Sequence, residues 1–413
     1  MSESVCETDT ISLSEMASEI LLNILKYLSV PDLLNMKLTC RRFCCVINSF
    51  WDQIVFKHPL SLLVTNQSSR QMQKRCQNIL VSFTKHRISN NWQRGTYKET
   101  SQFFKQKCIP CFHLEKDRFW LGRGTYIKSY ARYRGNVDFH YPNNVIDRLI
   151  SKHLCKFVVN DDLILSGNGP NLRLHSLQSK KCIFNFNLND MEINCLDLAS
   201  NCFAVGSRDC KLQFYDLVQK KYPIWKFTNC YEDRIWSVAL NHRKLAIGTA
   251  ANKSSTSLIV LDIERRECEM KLGTQQIGAG ILNCKWENPD LLWTGGYDSF
   301  LRKWDLRIGE CVQSFLDPFM STIYSFDYDF TNTMVTGCDS NGRVVLWDIR
   351  KDKYIQMYYM KSCTTSSSPV YCISFDAEYL FAATESHVNV LDFTLMRGPV
   401  QDYSEIFKHQ III

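Results

Sequence analysis

The stretch LLWTGGYDSFLRKWDL, Leu291 to Leu306, runs from an apolar arm at Leu291 to Trp293 into Gly295-Gly296, turns at Asp298, and returns through alternating Phe300, Arg302 and Trp304. It reads as a β-hairpin. Its ending, an apolar or aromatic residue followed by Asp, recurs in QFYDL (Asp216), IVLDI (Asp262), VLWDI (Asp348) and NVLDF (Asp392), and RLHSL places Ser176 at the same point. From Ser176 to Asp392 the spacings are 40, 46, 43, 43 and 44 residues. A second marker keeps the same step: IWSV (Ile235 to Val238) returns as IYSF (Ile323 to Phe326) and VYCI (Val370 to Ile373), with the related INCL (Ile193 to Leu196) one step before it and ILNC (Ile281 to Cys284) between IWSV and IYSF.

A period in the low forties closed by Trp-Asp is the mark of a propeller of four-stranded blades. LGRGTYIKSYARY (Leu121 to Tyr133) lies one period upstream and makes seven blades. Asp209 stands seven residues before Asp216, as Asp298 stands before Asp305, and Asn341-Gly342 supplies the turn in a later copy because both residue types tolerate positive φ. From about residue 114 to 393 these features resemble the WD-repeat family. That family often places Gly-His before the first strand of a blade, where His joins the turn Asp and the strand Trp in a hydrogen-bond network. No Gly-His occurs in this chain, so the resemblance implies incomplete networks.

The chain has 413 residues and a formal charge of +7. No apolar run approaches the roughly 18 to 20 residues of a membrane span, and the opening MSESVCETDT is acidic and polar where a secretory signal is basic and then apolar. The closing HQIII is too short to anchor the chain. Nineteen cysteines without an export signal read as reduced thiols of a cytoplasmic or nuclear protein. Cys108 and Cys111 with His113 have the spacing of half a zinc site, but no second pair follows, so neither metal nor other cofactor is expected. Phosphate loops, nucleophile elbows and His-Glu-x-x-His are absent, which speaks against an enzyme.

Charge is concentrated between Arg70 and Lys107, where nine basic residues face one acid, Glu99, with Phe83, Trp92, Tyr97, Phe103 and Phe104 interleaved. That composition fits a nucleic-acid surface, but without a fold motif it reads better as a partly helical connector whose aromatics, Trp92 foremost, pack on the propeller.

Residues 16–56 have helical spacing and no glycine. Ile20, Ile24, Tyr27 and Leu28 share a face with Leu21 and Leu25 alongside; Ser18 is placed to cap the first helix and Pro31 to open the second. A module of about forty residues this apolar should cover part of its surface with a partner. Glu19-Ile20-Leu21, Ile24-Leu25, Leu28, Asp32-Leu33, Cys40-Arg41 and Trp51 resemble the F-box pattern, with Met16-Ala17 where Leu-Pro is usual and Phe43 where Trp is usual. NWQRG (Asn91 to Gly95), GGYDSFLRKWDLR and SSPVYCISF extend a resemblance to F-box/WD-repeat proteins along nearly the whole chain.

The expected organisation is therefore a helical F-box at 13–57, a basic connector at 58–113 and an all-β propeller at 114–413. The resemblance implies a non-catalytic substrate receptor of a cullin-RING ubiquitin ligase. In that role Met16, Ala17, Ile20, Leu21, Ile24, Leu25, Leu28, Leu33, Leu34, Cys40, Phe43 and Trp51 dock a Skp-type adaptor. Trp304-Asp305-Leu306-Arg307 and Trp347-Asp348-Ile349-Arg350 leave open a cullin-4 receptor, and the connector a nucleic-acid-binding or protein scaffold. For the protein substrate, the residue after the first inward aliphatic of each copy, Asn194, Trp236, Leu282, Tyr324 and Tyr371, is expected beside the propeller mouth, joined by Arg208, Arg234 and Tyr297. Aromatic rings with arginines suit an acidic or phosphorylated peptide. A membrane partner is not expected.

Overall fold

Strands that alternate and turn every few residues pair with their sequence neighbours, and here they make seven four-stranded antiparallel sheets. The computed structural model describes residues 12–28, 30–55, 63–148, 156–188, 191–219, 222–253, 256–273, 276–360, 368–396, 398, 400, 401 and 403. MSESVCETDT, the 57/58 boundary and HQIII lie outside the described residues. The first strands of successive blades touch one another, and that of blade 1 (Cys111–Leu114) touches that of blade 7 (Cys372–Phe375), closing a ring.

The recurring Ile-x-Ser segment has two structural causes. Its aliphatic residue packs against a glycine on the second strand of the preceding blade: a Cβ on Gly206 would lie 2.6 Å from Ile235 Cγ2, and one on Gly337 2.7 Å from Val370 Cγ1. Glycine is needed there for close approach. The next residue is the extra one of a β-bulge, since pairing slips between Ile193 and Cys195, Ile235 and Ser237, Ile281 and Asn283, and Ile323 and Ser325. Gly337→Val should force the blade 6/7 seam apart and cost about 1 to 3 kcal/mol, read as a lowered denaturant midpoint with an unchanged far-ultraviolet circular dichroism spectrum.

Within blades, Trp304 Nε1 donates to Thr294 Oγ1 at 2.8 Å and Trp347 Nε1 to Thr336 Oγ1 at 3.0 Å. The turn acid Asp298, lacking a histidine partner, instead pairs with Arg302 at 2.8 Å. Asn341 and Gly342 both take positive φ, 56° and 58°, as their turn requires.

Closure differs from the sequence reading. Lys98–Phe103, assigned above to the connector, is the outer strand of blade 7 and pairs antiparallel with His387–Asp392. Cys111–Leu114, straddling the 113/114 boundary, is the first strand of blade 1. Among the described residues the rest of the connector contains two α-helices, α5 (Arg70–Arg75) and α6 (Ser82–Arg94), after four in the N-terminal module: α1 (Ser18–Leu25), α2 (Val30–Thr39), α3 (Arg41–Ser49) and α4 (Trp51–Val55). Ser18 is the first helical residue of α1 and Ala17 its cap position, where no side chain bonds the backbone.

The connector is fastened to the propeller face opposite the mouth. Trp92 of α6 is fully buried, stacked on Phe393 with centroids 3.8 Å apart, and donates Nε1–H to the Ala377 carbonyl at 3.3 Å. Arg75 of α5 reaches Asp327 on the first strand of blade 6 at 2.6 Å. The same carboxylate takes Lys285 of blade 5 at 2.7 Å and the Ser374 hydroxyl of blade 7 at 2.8 Å. Burial alone would push the Asp327 carboxyl up; Arg75 and Lys285 together outweigh it and hold it at about 2.

Candidate functional site: a helical docking module and a propeller mouth

Leu21, Leu25, Leu33, Phe43 and Trp51 form the inside of the helical module with Val46, Ile47 and Ile54. Leu21 and Leu25, expected at an adaptor contact, have no exposed surface. Consecutive residues of a helix stand about 100° apart, so the adjoining stripes through Ile20/Ile24 and Leu21/Leu25 are equally apolar in sequence, and packing against α3 and α4 decides which turns inward. Ile20 is 53% exposed, Tyr27 87% and Leu38 86%. Met16, Ile24, Leu28 and Leu34 are half-buried and Ala17 is exposed. Cys40 caps α3, its sulfur accepting from the Phe43 amide at 3.4 Å. Arg42 ties the preceding turn down by donating to the carbonyls of Ser14 and Met16. The Trp51 ring meets Phe83 of α6 edge-on at 5.5 Å and so seats the module on the connector.

At the mouth, the bulges re-aim Trp236 and Tyr324 out of the strand ladder, and the loop residue Tyr297 lies between them. The rings make one edge-to-face run: Trp236 to Tyr297 at 6.5 Å, Tyr297 to Tyr324 at 6.4 Å, and Tyr324 to Tyr371 at 5.5 Å. Four expected residues from blades 4 to 7 are thus brought together. Asn194 is turned inward instead and donates to the Ile235 carbonyl at 2.7 Å. Arg208 is exposed but paired with Glu192 at 3.0 Å, and Arg234 is exposed on the loop before blade 4. Two acids that the sequence reading did not single out stand at the run. Tyr371 donates to Glu385 Oε1 at 3.3 Å, and Asp339 follows the second strand of blade 6. Burial, then Glu385 and Tyr324, push the Tyr371 hydroxyl up to about 12; burial, then Tyr297 and Asp339, raise that of Tyr324. Both rings remain neutral hydrogen-bond donors at physiological pH.

Other candidate surfaces are occupied. Trp92 and Tyr97 of the connector are buried, Phe83 lies on Trp51, and Phe104 packs edge-on against Phe139 at 5.9 Å. Four of the five rings that composition offered to nucleic acid are thus buried or half-buried in the protein, and the fifth, Phe103, lies exposed against His387 with centroids 5.2 Å apart. Arg307 and Arg350 fold back on Asp305 and Asp348 of their own strands at 2.6 and 2.7 Å. Among the described residues no group of three His, Cys, Asp or Glu side chains is arranged to hold a metal ion, and no helix is long and apolar enough to cross a membrane.

A family model described as F-box-like matches residues 18–57. F-box/WD repeat-containing protein 4 of Homo sapiens is 28% identical over 315 residues, 74% of this chain and 76% of that protein. The Mus musculus protein of the same name is 28% identical over 317 residues, with the same shares. Mitotic checkpoint protein BUB3.3 of Arabidopsis thaliana is 23% identical over 147 residues, 36% of this chain and 44% of that protein. An F-box-like module ahead of WD-repeat blades is the architecture of this chain.

Proposed function

From this F-box/WD-repeat architecture we propose that the chain is the substrate-recognition subunit of a cullin-RING ubiquitin ligase of the SCF type, working in the cytoplasm, the nucleus or both. The helical module docks a Skp-type adaptor, the mouth holds a protein substrate, and the connector sets the distance between them. Ubiquitin transfer belongs to other subunits, and this chain contributes binding alone. The carrying observation is the apolar surface the module presents although its own core is complete: Ile20, Tyr27 and Leu38 stand largely in solvent.

Interface hot spots lose about 2 kcal/mol or more on truncation, roughly thirtyfold in affinity. Ile20→Glu in the full chain should therefore reduce co-purification of adaptor and cullin at least tenfold while leaving thermal unfolding unchanged. Undiminished recovery of both by the folded variant would remove the proposal. Leu21→Ala with Leu25→Ala is unsuitable for this purpose, because both side chains hold the module's core and their loss unfolds it.

A further inference from the structure

On its blade 6 and 7 side the mouth carries a charge opposite to the one expected from Arg208 and Arg234. The residue following the second strand occupies one rim position in each blade, and in three blades its amide makes the same bond to the residue before the first strand. Arg208 donates to Glu192, Ala250 to Arg234 and Tyr297 to Gly280, each at 2.9 Å. At this position blade 6 has Asp339, and the corresponding turn of blade 7 has Glu385. Going round the rim, Arg208 is already neutralised by Glu192, Asp298 by Arg302, and the buried Asp317 by Arg343 at 2.7 Å, while Arg234 stands exposed on the blade 4 side. Asp339 and Glu385 have no such cation among the described residues. Asp339 Oδ1 is shielded from water and accepts no hydrogen bond, and the Glu385 carboxylate takes only the tyrosine hydroxyl.

A shielded carboxylate oxygen without a donor is costly, and it is relieved by a ligand that brings one. Aromatic faces carry negative quadrupole potential and attract ammonium or guanidinium groups. Burial foremost, with Glu385 beside Tyr371 and, after Tyr297, Asp339 beside Tyr324 adding to it, raises both hydroxyls and keeps the rings neutral. Resting on the receptor reading above, we propose that the arc Trp236, Tyr297, Tyr324 and Tyr371, backed by Asp339 and Glu385, holds a lysine or arginine side chain of the substrate peptide. An acidic or phosphorylated residue is repelled there. The two carboxylates supply the charge, the rings supply rigid walls, and Asp339 Oδ1 accepts the hydrogen bond it lacks.

The test uses the full chain and fluorescein-labelled Gly-Ser-Ala peptides differing only at two central positions, filled by lysine, arginine, glutamate or phosphoserine. Fluorescence anisotropy should show the lysine and arginine peptides binding at least tenfold tighter than the other two. Asp339→Asn with Glu385→Gln should abolish that preference without altering thermal unfolding, and Tyr324→Ala should weaken both cationic peptides. Preference for glutamate or phosphoserine, equal or absent binding of all four, or a preference surviving in the double variant would each overturn the assignment. Adaptor co-purification is scored in parallel on the wild type. Adaptor retained without cationic preference defeats this inference alone, whereas cationic preference without adaptor defeats the receptor reading alone.

Discussion

Asp327→Asn should destabilise the protein by about 3 kcal/mol at neutral pH, the low end of the range for breaking a buried ion pair. The carboxylate is 1% exposed and serves Arg75, Lys285 and Ser374 together. Its removal leaves two cations facing each other across blades 5 and 6 and the connector. Their side chains keep 18% and 35% of their exposure, so water screens part of the cost. The sign with pH follows from a depressed folded pKa. An unfolded aspartate titrates near about 4, whereas Asp327 titrates at about 2. The stabilisation is therefore complete above about pH 4 and disappears as pH falls toward 2, a contribution on the order of 2 to 3 kcal/mol. Urea unfolding at several pH values should show wild type and variant well separated at neutrality and converging in acid. A gap that stays constant down to the lowest pH would dismiss Asp327 as the fastening between connector and propeller.

Trp92→Ala should cost about 3 to 5 kcal/mol, the usual range for truncating a buried tryptophan. Besides its stacking on Phe393, the indole meets Tyr358 and Phe375 edge-on at 6.0 and 6.1 Å. Around it, Asn91 donates to the carbonyls of Phe393 and Leu395, and Tyr358 donates to that of Trp92 at 2.6 Å. With the anchor gone, α6 loses its seat, and a trace of trypsin should cleave between Arg70 and Lys107 at conditions where the wild type resists. Trp92→Phe, which refills much of the space without restoring the Nε1 bond, should recover more than half of the lost stability. Unchanged protease resistance in the alanine variant would mean that α5 and the closing strand hold the connector without it.

The repeat was legible because its causes are local. Each blade needs a turn residue at a fixed offset, an apolar strand and a terminal aromatic-Asp, so the period from Ser176 to Asp392 can be counted on one chain. The helical module was legible for the same reason, as was the buried anchor at Trp92. The closing strand was not: Lys98–Phe103 reads KETSQF, an outer edge largely bathed in solvent, and such a strand has no alternation to display. Its identity depends on His387–Asp392, almost three hundred residues away. Nor could the sequence choose between two neighbouring apolar stripes of α1, or reveal that Asp339 and Glu385 stand beside the mouth tyrosines Tyr324 and Tyr371. Local hydrogen bonding and side-chain periodicity determined which elements form and how often they recur. Ring closure, the inward stripe and the sign of charge at the mouth were decided only when distant residues met in the tertiary structure, because burial and electrostatics depend on distance in space.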